Sequence, residues 1–256
     1  MGWIDVHTHL NMLEVSPEQA LADCQAAGVD AVVTIGTEPK DHQVVLDLAK
    51  KYYPRVYCTL GVHPHEAELF TPEVDKFLME NADRPEVVAI GEIGLDYFYD
   101  NAPREIQKAA FRRQLEISIE KSLPVEIHTR DAEQDTADIL AEYGGKIRGI
   151  LHCFTGTQWL ADEALKLGLD ISISGVATFK KAEELREVVR HVPIERLHVE
   201  TDAPFLAPMP HRGKKNVPAY VVHTAEVVAQ IKGVSLDELM AHTRKNAQRT
   251  FPKLKL

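Results

Sequence analysis

The chain has 256 residues, 45% of them apolar, which suits one large α/β domain and excludes a disordered chain. Its formal net charge of −10 gives a surface that repels bulk nucleic acid. That excludes a duplex-coating protein, though not an enzyme that grips a few phosphates locally. The cysteines Cys24, Cys58 and Cys153 form no CxxC pair, the N-terminus carries no basic leader, and charges interrupt every apolar stretch, so the expected place is the cytoplasm, with no membrane segment.

Short apolar runs alternate with longer amphipathic ones, the pattern of a parallel sheet wrapped by helices. Trp3 to Val6 reads as the first strand. A helix opens at Ser16-Pro17, with a Ser cap, Pro in the first turn and Gln19 at the capping-box position, and stops at Gly28. Ala31–Ile35 is the second strand, followed by a helix holding Val44 to Leu48. Val56–Leu60 is the third, and Thr71-Pro72 opens the next helix. Val87–Ile90 is the fourth, followed by a long helix from Pro103 to Lys121. Val125–Ile127, Gly149–Leu151, Ile171–Ile173 and Leu197–Val199 complete the strands. Their helices run over Ala132–Tyr143, Gln158–Lys166, Ala182–Arg190 and Pro218–Ile231. Ser235 and Glu238 form a capping box for a last helix to Arg249. Eight strand–helix units in a chain of this length predict a single-domain (β/α)8 TIM barrel over residues 1–256. A doubly wound open sheet is the alternative, weakened by the lack of a Gly-rich loop after the first strand.

Ligand-type residues close several of these strands: His7 and His9 the first, Glu92 the fourth, His128 the fifth, His152 the sixth and Asp202 the eighth. In a barrel such ends converge on the C-terminal face, where the active sites of this fold sit. Alternate strand residues share a face, so His7 and His9 can reach one ion, with Asp5 deeper on the same face to orient a histidine. Glu92, flanked by Gly91 and Gly94 that let the chain turn tightly, offers two oxygens that can bridge two cations. His128 and His152 read as ligands of a second ion. Asp202 can bind the first ion and take a proton from an attacking water. Cys153 opposes His152 in parity and reads as a small buried hydrophobe. Glu200 reads as a structural hydrogen-bonding group, and His198 has no functional account. His63 and Arg130 are expected to contact substrate phosphate, with Lys180, Lys181, Arg212, Lys214 and Lys215 as a modest basic rim.

Asp5-x-His7-x-His9, Gly61-x-His63-Pro64, Gly91-Glu92-Ile93-Gly94-Leu95-Asp96, Ile127-His128-x-Arg130, His152-Cys153-Phe154-x-Gly156 and Glu200-Thr201-Asp202-Ala203-Pro204 occur in that order. Together they resemble the TatD family of metal-dependent deoxyribonucleases. The resemblance implies an amidohydrolase-type barrel that hydrolyses DNA phosphodiesters as an exonuclease. It also implies a two-metal site, with His7, His9, Glu92 and Asp202 around one ion and Glu92, His128 and His152 around the other. Asn216-Val217-Pro218 departs from the Asn-Glu-Pro of many members, and His198 replaces a usual aliphatic residue.

The expected function is therefore cleavage of single-stranded DNA ends by a metal-activated water, with two divalent ions drawn from Mg, Mn, Zn or Ni and no obligate protein partner. Two readings compete. One is a metal-dependent ester or amide hydrolase acting on a small molecule or an aminoacyl-tRNA; the other is a non-catalytic barrel that only binds metal or a partner.

Overall fold

The computed structural model describes residues 1–255. Strands and helices alternate along the chain: β1 Trp3–Thr8, α1 Pro17–Ala26, β2 Val29–Thr34, α2 Pro39–Tyr52, β3 Val56–Leu60, α3 Pro72–Asn81, β4 Val87–Asp96, α4 Arg104–Lys121, β5 Val125–Arg130, α5 Glu133–Glu142, β6 Gly149–Leu151, α6 Gln158–Lys166, β7 Asp170–Ile173, α7 Glu183–His191, β8 Leu197–Val199, α8 Val221–Lys232 and α9 Leu236–Thr250. The strands are parallel and lie in sequence order. A parallel bridge between Thr8 and Ala203 brings the chain after β8 back onto β1. The result is the expected (β/α)8 barrel.

Helix starts follow their local chemistry. The hydroxyls of Ser16, Thr71, Thr157 and Ser235 accept from the backbone N–H groups of Gln19, Val74, Leu160 and Glu238, satisfying donors that the first helical turn leaves open. The box expected at α1 is only half made, because the Gln19 amide reaches Asp23 instead of the cap.

Three strands run further than their apolar runs suggest. β1 continues to Thr8, β4 to Asp96 and β5 to Arg130, so His7, Glu92 and His128 lie inside strands instead of closing them. Polar side chains end a strand in sequence terms because they normally face water. Here they face one another inside the barrel mouth, and the ladders carry on beneath them. Gly91 and Gly94 accordingly serve close approach and not a turn. A Cβ on Gly94 would stand 1.9 Å from the carbonyl oxygen of His128, and one on Gly91 would stand 2.8 Å from the Glu126 Cβ.

The opposite end of the barrel is held by the end of the chain. Phe251 and Leu254 pack with Ile4, Val6, Val33, Ile35 and Tyr57. Lys253 donates to the carbonyls of Ala82 and Arg84, ahead of β4. His198, without a role in the sequence reading, belongs here. Its Nε2 lies 2.9 Å from Asp170 Oδ2, a carboxylate that also accepts from Thr250 and is bound by Arg196 and Arg249. This buried network ties β7 and β8 to α9.

Candidate metal centre

Closure of the barrel assembles the first half of the site. The Asp202 N–H donates to the His7 carbonyl at 3.0 Å and the His9 N–H to the Ala203 carbonyl at 2.8 Å. These two bonds set the Asp202 carboxylate beside both histidines, with Oδ1 at 3.3 Å from His9 Nε2 and 3.8 Å from His7 Nε2. Asp202 and His152 lie just past the ends of β8 and β6 and not within them. Glu92 stands in the middle. Its Oε2 faces His7 Nε2 at 3.6 Å, while its Oε1 faces His152 Nε2 at 2.8 Å, His128 Nδ1 at 3.2 Å and His63 Nε2 at 3.3 Å. The structure thus brings together all six predicted donors, in three overlapping groups able to hold a metal ion: His7-Glu92-His152, His7-His9-Asp202 and His63-Glu92-His128.

Two of the histidines are hydrogen-bonded to carboxylates behind them, and a third lies beside one without a hydrogen bond. His7 Nδ1 is 2.6 Å from Glu126 Oε2, His128 Nε2 is 3.0 Å from Asp96 Oδ2, and His152 Nδ1 is 3.4 Å from Glu200 Oε1. An imidazole that gives one N–H to a carboxylate turns its other nitrogen, as a lone pair, toward the centre, the usual support for a metal-binding histidine. Asp96 holds His65 as well, at 2.9 Å. Sequence reasoning missed Glu126 and Asp96 in this role. Their signal was parity: Glu126 is two residues before His128 and Asp96 four after Glu92, each on the donor-bearing face.

The role expected of Asp5 is corrected. Its carboxylate accepts from the N–H and hydroxyl of Thr201, at 2.9 and 2.5 Å, and from the His7 backbone N–H at 3.4 Å, but bonds no imidazole. It pins the residue before Asp202, and Glu126 orients His7 in its place. Cys153 is only partly buried, with Sγ 3.1 Å from the Ser174 hydroxyl. Burial and the nearby carboxylates push its thiol up, so it remains protonated.

The donor set fits divalent cations. His7 Nε2 and both ring nitrogens of His152 are buried without a hydrogen-bond partner, although His152 Nε2 and Glu92 Oε1 nearly touch. Such crowding of lone pairs is costly unless positive charge sits among them. Burial alone would push the Glu92 carboxyl up, but the facing His152 imidazole, with a hydrogen bond from His128, holds it well below the usual range. Asp202 is likewise held down against its burial by His9 and His7. Both carboxylates are therefore ionised around neutral pH.

His63 lies nearer the centre than a rim residue. Burial pushes it down to about 4, against the pull of Glu92, so the ring is neutral. Its Nδ1 accepts the His65 backbone N–H at 3.1 Å, which leaves the proton on Nε2. Arg130 is outside the donor cluster. It is exposed, with its guanidinium 3.9 Å above the Phe98 ring. Of the basic rim, Lys215 pairs with Glu14 at 3.5 Å and Arg212 lies 3.9 Å above the Phe179 ring.

Barrel and donor set together define a metal-dependent hydrolase. The model of the TatD related DNase family matches residues 4–252, and the chain belongs to that family. It is 39% identical over 250 residues to an uncharacterized metal-dependent hydrolase of Bacillus subtilis, YabD, covering 96% of this chain and 98% of the relative. A protein of Erwinia tasmaniensis named 3'-5' ssDNA/RNA exonuclease TatD is 36% identical, covering 91% and 93%. The crystal structure of the TatD homologue YJJV from Escherichia coli superposes with a TM-score of 0.92 at 29% identity, over 98% of each chain. Among the described residues no helix is long and apolar enough to cross a membrane.

Proposed function

We propose that this chain is a deoxyribonuclease that removes nucleotides from the ends of single-stranded DNA, using two divalent ions bridged by Glu92. The observation that carries the reading is the division of Glu92: one oxygen faces His7 and the other faces His128, His152 and His63. A carboxylate placed so suits a bridge between an ion held by His7, His9 and Asp202 and one held by His128 and His152. When bound, such ions lower the pKa of water and offset the charge of a phosphodiester.

The residues themselves supply the rest. The ionised Asp202 carboxylate can accept the proton that water loses as it attacks phosphorus. Neutral His63 offers its Nε2–H to a phosphate oxygen, which makes it a substrate contact in place of a ligand. Arg130 has no carboxylate partner among the described residues and presents a forked donor to the phosphate of a neighbouring nucleotide. The Erwinia tasmaniensis relative named 3'-5' ssDNA/RNA exonuclease TatD supports this substrate class and suggests removal from the 3' end. The three unpaired thiols suit a reducing compartment such as the cytoplasm.

The test is a parallel assay of end-labelled single-stranded DNA, the matching RNA and a generic carboxyl ester with Mg²⁺, Mn²⁺, Zn²⁺ and Ni²⁺. Stepwise shortening of DNA that chelator abolishes is expected. Ester turnover without nucleic-acid cleavage in any metal would replace the reading with an ester or amide hydrolase. Metal analysis of Glu92→Ala should show loss at both positions, and unchanged stoichiometry would rule out the bridge.

A further inference from the structure

We infer that the mouth of the barrel carries two nucleobase-stacking platforms on opposite sides of the donor cluster, one made by Phe98, Tyr99 and Arg130 and the other by Phe205. The inference rests on the nuclease reading and adds to it how the strand is held: by the faces of its bases, without regard to their identity.

The first platform follows β4. Phe98 and Tyr99 are 54% and 55% exposed, their rings 4.9 Å apart and nearly perpendicular. The Arg130 guanidinium lies over both, at 3.9 and 4.9 Å from the ring centroids. This surface is fixed to the centre. The backbone N–H groups of Phe98 and Tyr99 donate to Asp96 Oδ1 at 3.0 and 2.9 Å, and the other oxygen of Asp96 holds His65 and His128. The Tyr99 ring also stands edge-on to His65 at 5.3 Å.

The second platform follows β8. Phe205 is 51% exposed and meets the edge of His9 at 5.8 Å. Its backbone is clamped, with the N–H donating to the Asp202 carbonyl at 2.9 Å and the carbonyl accepting from Asn216 Nδ2 at 2.6 Å. In an eight-stranded ring taken in order, β4 and β8 are diametrically opposed. A strand whose phosphate lies over the donor cluster therefore has an aromatic surface on either side of it.

Single exposed aromatic rings are ordinary on protein surfaces and carry no meaning alone. These differ because each is locked to a residue that touches the donors, and because a guanidinium, that of Arg130, lies over the first pair. Among the described residues Arg130 has no carboxylate partner, in a chain whose net charge is −10. Local positive charge beside rigid aromatic faces selects a partner that is both anionic and flat-ringed, which describes a single-stranded nucleic acid. Arg130 then serves twice, through its fork to phosphate and through its plane to the ring stack.

The experiment compares a single-stranded oligonucleotide with the same strand carrying abasic sites at its terminal nucleotides, for the parent chain, Phe205→Ala, Phe205→Tyr and a Phe98→Ala/Tyr99→Ala double variant. Methyl 4-nitrophenyl phosphate, a phosphodiester without a nucleobase, reports the chemistry separately. Truncating either platform should raise KM for the oligonucleotide roughly 5- to 150-fold, the effect of one lost base–aromatic stack. Turnover of the small diester should hardly change, Phe205→Tyr should restore KM, and the alanine variants should lose the parent's preference for intact over abasic ends. Equal KM on intact and abasic strands with efficient cleavage of both would overturn the platforms and leave the nuclease reading standing. If no oligonucleotide is cleaved, that reading falls, and fluorescence anisotropy with the two strands decides the inference: binding that needs the bases and is lost in the alanine variants supports it, and any other result overturns it.

Discussion

Asp170 offers a perturbation whose size follows from its surroundings. Burial alone would push its carboxyl up, but the hydrogen bond and charge of His198, the Thr250 hydroxyl and the Arg196 guanidinium hold it down, from 3.8 to about 2. Each unit of pKa corresponds to about 1.4 kcal/mol, so the ionised form is favoured by about 2 kcal/mol in the folded chain relative to the unfolded one. Because the folded value is the lower one, this stability is fully present above about pH 5. It drains away as pH falls through 4 and is lost below about 2, where both states are protonated. Asp170→Asn removes the charge at nearly constant shape and turns an amide N–H toward one of the two guanidinium groups. At pH 7 the variant should be less stable by about 2–3 kcal/mol, which for a chain of this size lowers Tm by about 4–12 °C. Urea denaturation of both proteins at pH 7, 5, 4 and 3, with chelator present so that metal binding does not contribute, measures the gap. It should be constant from pH 7 to 5 and narrow below pH 4. A variant within about 0.5 kcal/mol of the parent at pH 7, the ordinary range for an inconsequential substitution, would refute the reasoning, as would a gap that widens in acid.

Three further predictions concern the barrel mouth. Glu126→Gln keeps a group that can accept the His7 Nδ1–H but removes its charge, so isothermal titration should show metal affinity reduced about 10- to 100-fold with folding intact; unchanged affinity would mean that Glu126 does not support His7. Asp202→Asn should fold normally and keep the ion held by Glu92, His128 and His152. Its turnover of single-stranded DNA should fall by about 10²–10⁴, and near-parental turnover with both ions bound would assign the proton to another group. Gly94→Ala forces a Cβ against the His128 carbonyl oxygen at φ +136°, while Gly28→Ala, at φ +75°, meets no atom within 4 Å. Chemical denaturation should show Gly28→Ala costing about 1–2 kcal/mol, the left-handed penalty alone, and Gly94→Ala a further 1–3 kcal/mol; equal losses would mean that β4 and β5 can part at no cost.

Much of this protein is legible along the chain. Alternation of apolar runs and helix caps is a local property, so the strand–helix order and the barrel class follow from sequence. The donors also announce themselves, since His7, His9, Glu92, His128, His152 and Asp202 each interrupt or follow an apolar run where a water-facing residue would be out of place. What the sequence cannot carry is which groups meet. Glu126 orients His7 from 119 residues away, and Asp5 pins Thr201 from 196 residues away, exchanging the roles that proximity in sequence suggested. Strand lengths failed for the same reason: a polar side chain reads as a strand end unless a partner across the barrel faces it. The register of β4 on β5 and the closing of the β8 segment on β1 decide these pairings. Parity along one strand says which face a residue occupies, but only the ring of neighbouring strands determines what that face meets.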